Sequence, residues 1–434
     1  MKVAISSDKF EYLTENSLEC DSRCAFVQTS LNTRYLKDAL SRGAPAILKP
    51  AQISHLFGLD RIKIVGITGT NGKTTTASAI YSMLLDLGYK AALQGTRGFF
   101  INDEQLETHT LTTPTLLNTY RHIYQAVRAE CDFFIMEVSS HAIAQNRCEG
   151  IEFAIKALTN ITQDHLDYHG DIETYREVKN SFFSDSSAKI INKDESHAKF
   201  NIANTYTYAV DESASYRASA YSLSGGIDAV VQHFEQTCTL SSDLYGLFNL
   251  YNLLCAIATV HQLTQQDLNL VCRAVEGFGG VSGRMEIVSS DPLVIVDFAH
   301  TPDGIKEVLN TLRDKDIVVV FGAGGDRDRS KRASMGRVAS RLASKIYITS
   351  DNPRFEDPSS IVADILEGIE HRDNVVIELD RKKAIEMAIE NREENEAVLI
   401  LGKGDEEYQI IYDTKFEFDD RAIAREIIAK GDAS

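Results

Sequence analysis

At 434 residues, 43% of them hydrophobic and 25% charged, the chain has the composition of a folded protein and is too long for one ordinary core, which predicts two or three domains. A formal net charge of −18 argues against general nucleic-acid binding, no apolar run is long enough to cross a bilayer, and residues 1–10 lack the apolar stretch of a signal peptide. The seven cysteines are odd in number and scattered, only Cys20 and Cys24 are close, and with no second pair to complete a zinc site they predict reduced thiols in the cytoplasm.

In the first 60 residues, 25–27 and 46–48 read as short strands, 35–41 as a helix between them, and 50–60 as a linker with a small helix. The buried strand 63–68 opens a second block and runs into Gly69-Thr70-Asn71-Gly72-Lys73-Thr74-Thr75-Thr76. An amphipathic helix is expected next, through Ala77, Ile80 and Leu84, stopping near Gly88. Gly69 and Gly72 let backbone amides turn toward a phosphate. Lys73 can reach the β and γ oxygens, Thr74 or Thr75 can hold magnesium, and the helix start presents its positive end. The spacing differs from G-x-x-x-x-G-K-[ST], and a plain strand-to-helix turn is the alternative.

Further strands at 133–138 and 154–159 are separated by helices, so a mostly parallel sheet with helices on both faces is expected. Glu137 ends the first of them, where open α/β sheets place their ligands, and its carboxylate can serve the same magnesium; a salt-bridged strand end is the alternative. Ser139, Gln145 and Arg147 follow and can face an anionic substrate. Asp164, His165, Asp167 and His169 cluster after the second strand, as a metal or acid–base edge or as a hydrogen-bonded loop. Lys179, on a helix at 175–183, reads by itself as a surface lysine. Residues 213–242 read as short antiparallel strands.

A third α/β block begins near Ser282, with buried strands at 293–297, 317–321, 345–349, 374–378 and 397–401. The loops after them hold Asp297, His300 and Asp303; a glycine turn followed by Arg327, Arg329, Lys331 and Arg332; Asp351, Asn352 and Arg354; and Gly402, Lys403 and Glu406. Arg327 stands where a dinucleotide fingerprint needs a third glycine, so a nicotinamide site is not expected. Arg354 can grip a carboxylate with two parallel hydrogen bonds. Taken together, these loops predict one binding face.

From about Lys63 to the C-terminus the chain resembles the Mur ligases. The resemblance rests on 69–76, Thr112-Thr113-Pro114, 137–147, 159–170, Gly283-Arg284-Met285-Glu286, 297–303, 324–332 and 351–354. It implies an α/β fold of three domains: a small N-terminal α/β domain for the UDP-linked substrate (1–62), a central P-loop-type parallel-sheet domain for ATP (63–281) and a Rossmann-like C-terminal domain for the amino acid (282–434). It also implies an ATP- and Mg2+-dependent ligase of peptidoglycan-precursor synthesis, monomeric and cytoplasmic. Its substrates would be UDP-N-acetylmuramoyl-L-alanyl-D-glutamate, meso-diaminopimelate and ATP, joined through an acyl phosphate, with no nucleic acid and no membrane insertion.

By this resemblance Gly69, Thr70, Asn71, Gly72, Lys73, Thr74 and Thr75 hold the ATP phosphates, and Asn249, Arg284, Asp297 and His300 approach the nucleotide. Thr74, Glu137, His165 and Lys179 hold magnesium, Lys179 as a carbamate, and Lys73, Lys179 and His165 are catalytic. Ser22, Thr112, Thr113, Ser139, Gln145 and Arg147 meet the UDP-linked substrate, and Arg327, Asp351, Asn352, Arg354, Gly402 and Glu406 take diaminopimelate. Lysine lacks the second amino-acid head of diaminopimelate and would leave Arg354 unpaired. That costs about 3–5 kcal/mol if the charge is buried, a discrimination of order a thousandfold. The chain departs from the family in a short N-terminal part, where 28–32 replaces a glycine-rich segment, in Ala323 and Ala333 for Cys and Pro, and in Asp405 for His.

Overall fold

A computed structural model describes residues 2–5, 9–108 and 111–431, so part of the N-terminal stretch 1–10 lies outside the described residues. The strands form three main sheets, and the hairpin Tyr408–Ile411 with Thr414–Glu417 stands apart. The first sheet has 4 strands: Lys2–Ala4 antiparallel to Tyr12–Thr14, then Cys24–Val27 and Ala46–Leu48 in parallel. Residues 50–60 are more than a linker. The helix Pro50–Leu56, with proline at its start, buries Ile53, and Phe57 follows into a core shared with Tyr120 and Phe134 of the next unit.

The second sheet has 11 strands and a parallel heart. Lys63–Thr68 lies between Phe133–Glu137 and Ile155–Leu158, with Ala91–Gly95 beyond the former and Ala188–Asn192 and Thr205–Ala209 beyond the latter. Antiparallel strands extend both ends: Gly98–Ile101 with Glu104–Thr108, and the meander Tyr216–Ser222, Ile227–His233, Gln236–Ser242 expected within 213–242. Helices Lys73–Asp86 and Leu247–Thr264 cover one face of this sheet, and Leu116–Arg128 and Ile172–Ser181 the other. The helix Lys73–Asp86 is not amphipathic as expected. Thr74, Thr75, Thr76, Ala77, Ser78, Ala79 and Ile80 are buried without a break, all round the helix, because Leu247–Thr264 packs over it and removes its solvent side.

The third sheet runs Glu286–Ser290, Leu293–Asp297, Ala397–Leu401, Ile317–Phe321, Lys345–Ile348, Val375–Ile377, parallel except for the first strand. The last strand in sequence to join, Ala397–Leu401, inserts between the first two parallel strands and makes a switch point, where strand-end loops diverge and ligands bind. One cysteine expectation needs correction. The helix Leu268–Arg273 packs on the strand Gln236–Ser242, bringing Cys272 and Cys238 to a Cα separation of 6.6 Å, and the two are joined by a disulfide. Cys20, Cys24, Cys131, Cys148 and Cys255 are free. Among the described residues no helix is long and apolar enough to cross a membrane.

Candidate active site

The loop 69–72 leaves its strand at the centre of the second sheet and ends at Gly72, the N-cap of the helix Lys73–Asp86. Both glycines are required. Gly69 has φ 154° and a Cβ there would lie 1.8 Å from Thr159 Oγ1; Gly72 has φ 82° and a Cβ would lie 2.2 Å from Asn252 Oδ1. Asn160 holds the loop from below, its Oδ1 accepting from Asn71 N at 2.9 Å and its Nδ2 donating to Asn71 O at 3.1 Å. Residues 70–75 line a cavity of about 530 Å³, together with Glu137, His165, Arg284, Asp297 and His300.

Two lysines converge beneath the loop. Lys73 Nζ donates to Gly69 O and Thr70 O at 2.9 and 2.8 Å, and Lys179 Nζ donates to the same Gly69 O at 2.8 Å. Lys179 is not the surface residue that its local sequence suggests: only 1% of it is exposed. Burial pushes its pKa well down, and the positive charge of Lys73 pushes it further. Glu137 is buried at its strand end. It accepts from Thr74 Oγ1 at 3.0 Å and from Thr96 N at 2.9 Å, and burial raises its pKa against the pull of Lys73. His165 takes a left-handed backbone (φ 53°) and sets its Nε2 3.3 Å from Asp164 Oδ2; burial lowers its pKa, against the pull of Asp164.

Of the proposed UDP-substrate residues, Thr113, Ser139, Gln145 and Arg147 form one hydrogen-bonded group, and Thr112 lines the cavity. Thr113 Oγ1 donates to Glu137 O at 2.9 Å and accepts from Ser139 N at 2.9 Å. Arg147 donates to Thr113 O at 2.7 Å and to Gln145 Oε1 at 2.6 Å. Across the cleft, Asp297 accepts from Met285 N and Ala299 N, each at 2.7 Å, Arg284 stacks on Phe298 with its Cζ 4.1 Å from the ring centre, and burial drops the His300 pKa to about 4. The two sides touch: Lys331 Nζ lies 3.7 Å from Asp164 Oδ1, and Asn71 Nδ2 reaches Asp303 Oδ2 at 3.5 Å.

The expected amino-acid residues form a second cluster on the third sheet. Asn352 Nδ2 donates to Glu406 Oε2 at 2.9 Å, and Lys403 Nζ reaches Asn352 Oδ1 and Glu406 Oε2 at 3.2 and 3.1 Å. Gly402 (φ 116°) lets Asp351 approach, since a Cβ there would lie 2.6 Å from its carboxylate. Arg354 takes φ 52° and donates to Gly325 O at 2.8 Å; burial and the neighbouring Arg327 charge lower its pKa. Arg327 also acts on His141 across the cleft, where burial and Arg147 are the larger causes of a lowered pKa.

The chain matches the Mur ligase middle domain over residues 67–260 and the Mur ligase, glutamate ligase domain over residues 283–404. It belongs to the Mur ligase family. This Mur ligase is 53% identical over 421 residues to the UDP-N-acetylmuramoyl-L-alanyl-D-glutamate–2,6-diaminopimelate ligase of Wolinella succinogenes, covering 97% of each chain. It is 48% identical over 428 residues to the Helicobacter pylori protein of the same name, covering 96% of this chain and 95% of that one. A solved structure of a ligase of that name aligns over 100% of both chains with a TM-score of 0.69 and 29% identity.

Several expected residues of this Mur ligase are not on the wall of the glycine-loop cavity: Gly69 and Lys179 do not line it, Thr113, Ser139, Gln145 and Arg147 form their own hydrogen-bonded group, the diaminopimelate set forms its own cluster, and Ser22 and Asn249 stand elsewhere. Ser22 is exposed in a turn of the first sheet. Asn249 is buried one layer back, where its Oδ1 accepts from Asn252 Nδ2 at 3.1 Å; Asn252 is the residue on the cavity wall. The i, i+3 spacing of the two asparagines on one helix was the available signal. Asp164 of the expected metal or acid–base edge lines the cavity, and so do Asn160 and Thr96, for which the sequence suggested no individual role.

Proposed function

We propose that this Mur ligase uses ATP to add meso-diaminopimelate to UDP-N-acetylmuramoyl-L-alanyl-D-glutamate in peptidoglycan-precursor synthesis. The observation that carries this reading is one cavity with two walls: the glycine loop with Lys73 on the central side, and Arg284, Asp297 and His300 on the C-terminal side. The diaminopimelate ligases that match nearly the whole chain at about half identity support it. The domains are taken as 1–62, 63–281 and 282–434, and the enzyme as a cytoplasmic monomer.

The donor set fits a hard dication. Thr74 spends its one hydroxyl hydrogen on Glu137, which leaves its lone pairs for a ligand, and the oxygens of Thr74 and Glu137 are the type that Mg2+ prefers. Mg2+ would supply charge neutralisation at the phosphates, held by Thr74 and Glu137, with His165 and a carbamate on Lys179 completing the set. The buried Lys179 suits that modification, because the neutral amine that burial favours is the form that adds carbon dioxide. Lys73 steadies the phosphoryl group while the D-glutamate γ-carboxylate attacks the γ-phosphorus and ADP departs. The diaminopimelate amine, oriented by Arg354 and the Asn352–Glu406 pair, then attacks the acyl carbon and releases phosphate. Phosphate release should require the UDP-linked dipeptide together with diaminopimelate. Release with lysine in its place, or with no acceptor, would contradict the reading.

A further inference from the structure

Thr96 follows the strand Ala91–Gly95 and lies on the cavity wall between two groups that the proposed reaction keeps separate. Its amide donates to Glu137 Oε1 at 2.9 Å and its hydroxyl to Glu137 Oε2 at 3.4 Å. The same hydroxyl lies 3.1 Å from Thr112 Oγ1. A hydroxyl has one hydrogen. With that hydrogen given to the carboxylate, the Thr96 oxygen must accept from Thr112, and the Thr112 lone pairs are left to accept from a substrate N–H or O–H. On the far side, Thr74 donates to the same Glu137 oxygen at 3.0 Å. A continuous hydrogen-bonded row therefore runs Thr112, Thr96, Glu137, Thr74, from the substrate-facing threonine to the phosphate loop. The close approach is built into the backbone: a Cβ on Gly95 would lie 2.1 Å from Glu137 Oε1.

We infer that Thr96 is a positioning residue that couples the UDP-linked substrate to the magnesium nucleotide, by fixing the Glu137 carboxylate and the direction of the Thr112 hydroxyl together. The inference rests on the ligase reading above and extends it. A substrate that engages Thr112 holds the row in one arrangement, and that arrangement presents Thr74 and Glu137 to the nucleotide. Coupling of this kind is reciprocal: each ligand tightens the other by the same factor.

Thr96→Val keeps the backbone amide and the shape of the side chain but removes the hydroxyl; Thr96→Ser restores it. Calorimetric titration of a non-hydrolysable ATP analogue with Mg2+, with and without UDP-N-acetylmuramoyl-L-alanyl-D-glutamate, reads the coupling directly. Wild type and Thr96→Ser are expected to bind the analogue at least about fivefold more tightly when the second ligand is present. Thr96→Val is expected to lose that enhancement, the ratio of its affinities with and without the second ligand falling to about one. Thr112→Val, tested from the other end of the row, should lose it as well. Equal enhancement in wild type and Thr96→Val, or no enhancement in wild type, overturns the coupling and leaves the ligase reading standing. A wild-type protein that does not bind the UDP-linked dipeptide overturns both.

Discussion

On the central wall of the cleft, the side-chain nitrogens of Lys73 and Lys179 share one backbone carbonyl, Gly69 O; in the strand-end cluster of the third sheet, Lys403 and Glu406 form an ion pair braced by Asn352. The first arrangement crowds two basic groups under a loop and depresses the pKa of both lysines, chiefly through burial. It suits a ligand that brings its own negative charge. The second arrangement is satisfied internally, so it holds a shape rather than an unmet charge. Arg354 stands between the two cases: half-buried, it donates to Gly325 O at 2.8 Å and keeps the rest of its fork for an incoming carboxylate.

The largest expected effect breaks the central wall. Lys73→Ala should lower kcat by at least about a thousandfold while circular dichroism stays that of the wild type, since the lysine serves the phosphoryl charge. Retained turnover would contradict the account. Next, Lys179→Ala should lose about a hundredfold or more and recover partly when a short-chain carboxylic acid is added. Wild-type turnover, or no recovery, would remove the carbamate.

The cluster on the third sheet should respond less. Arg354→Ala should reduce the preference for diaminopimelate over lysine by about ten- to hundredfold, measured as the ratio of kcat/KM values. That corresponds to a charge-assisted hydrogen bond of about 1.5–3 kcal/mol. It is below the thousandfold expected for a fully buried guanidinium, because Arg354 is half-exposed and already holds one carbonyl.

The smallest effect concerns stability. The folded-state pKa of Lys179 is lowered, so between that value and the unfolded lysine value of about 10.4 the unfolded chain binds a proton that the folded one does not, and stability rises with pH across that window. Lys179→Met, in carbon-dioxide-free buffer, should therefore raise the melting temperature at pH 7, by roughly 2–4 °C for each kcal/mol recovered. The gain should shrink as the pH approaches 10. A destabilised Lys179→Met at pH 7 would show that the lysine contributes packing rather than strain.

Much of this contrast was legible in the residues. The strands Leu293–Asp297, Ile317–Phe321 and Ala397–Leu401 stand where their uninterrupted apolar runs place them, because strands covered on both faces need no alternation. The glycine loop was readable because its two glycines are forced by close neighbours. Lys179 was not readable from its helix alone, since its burial comes from a loop 110 residues earlier in the chain. Thr96 carried no signal: the strand before it is short, and its partners Glu137 and Thr112 meet it only through the sheet. Likewise, Cys238 and Cys272 are 34 residues apart in sequence, and only the packing of helix on strand pairs them.

The proposed acyl transfer makes one oxygen of the D-glutamate γ-carboxylate travel with the phosphate. Turnover of UDP-N-acetylmuramoyl-L-alanyl-D-glutamate labelled with 18O in that carboxylate, followed by mass spectrometry of the released phosphate, measures this directly. Each phosphate should carry one labelled oxygen from a fully labelled carboxylate. Phosphate with no label, while the amide product forms and the lost labelled oxygen leaves by another route, would show that the carboxylate never joined the γ-phosphorus in this cleft.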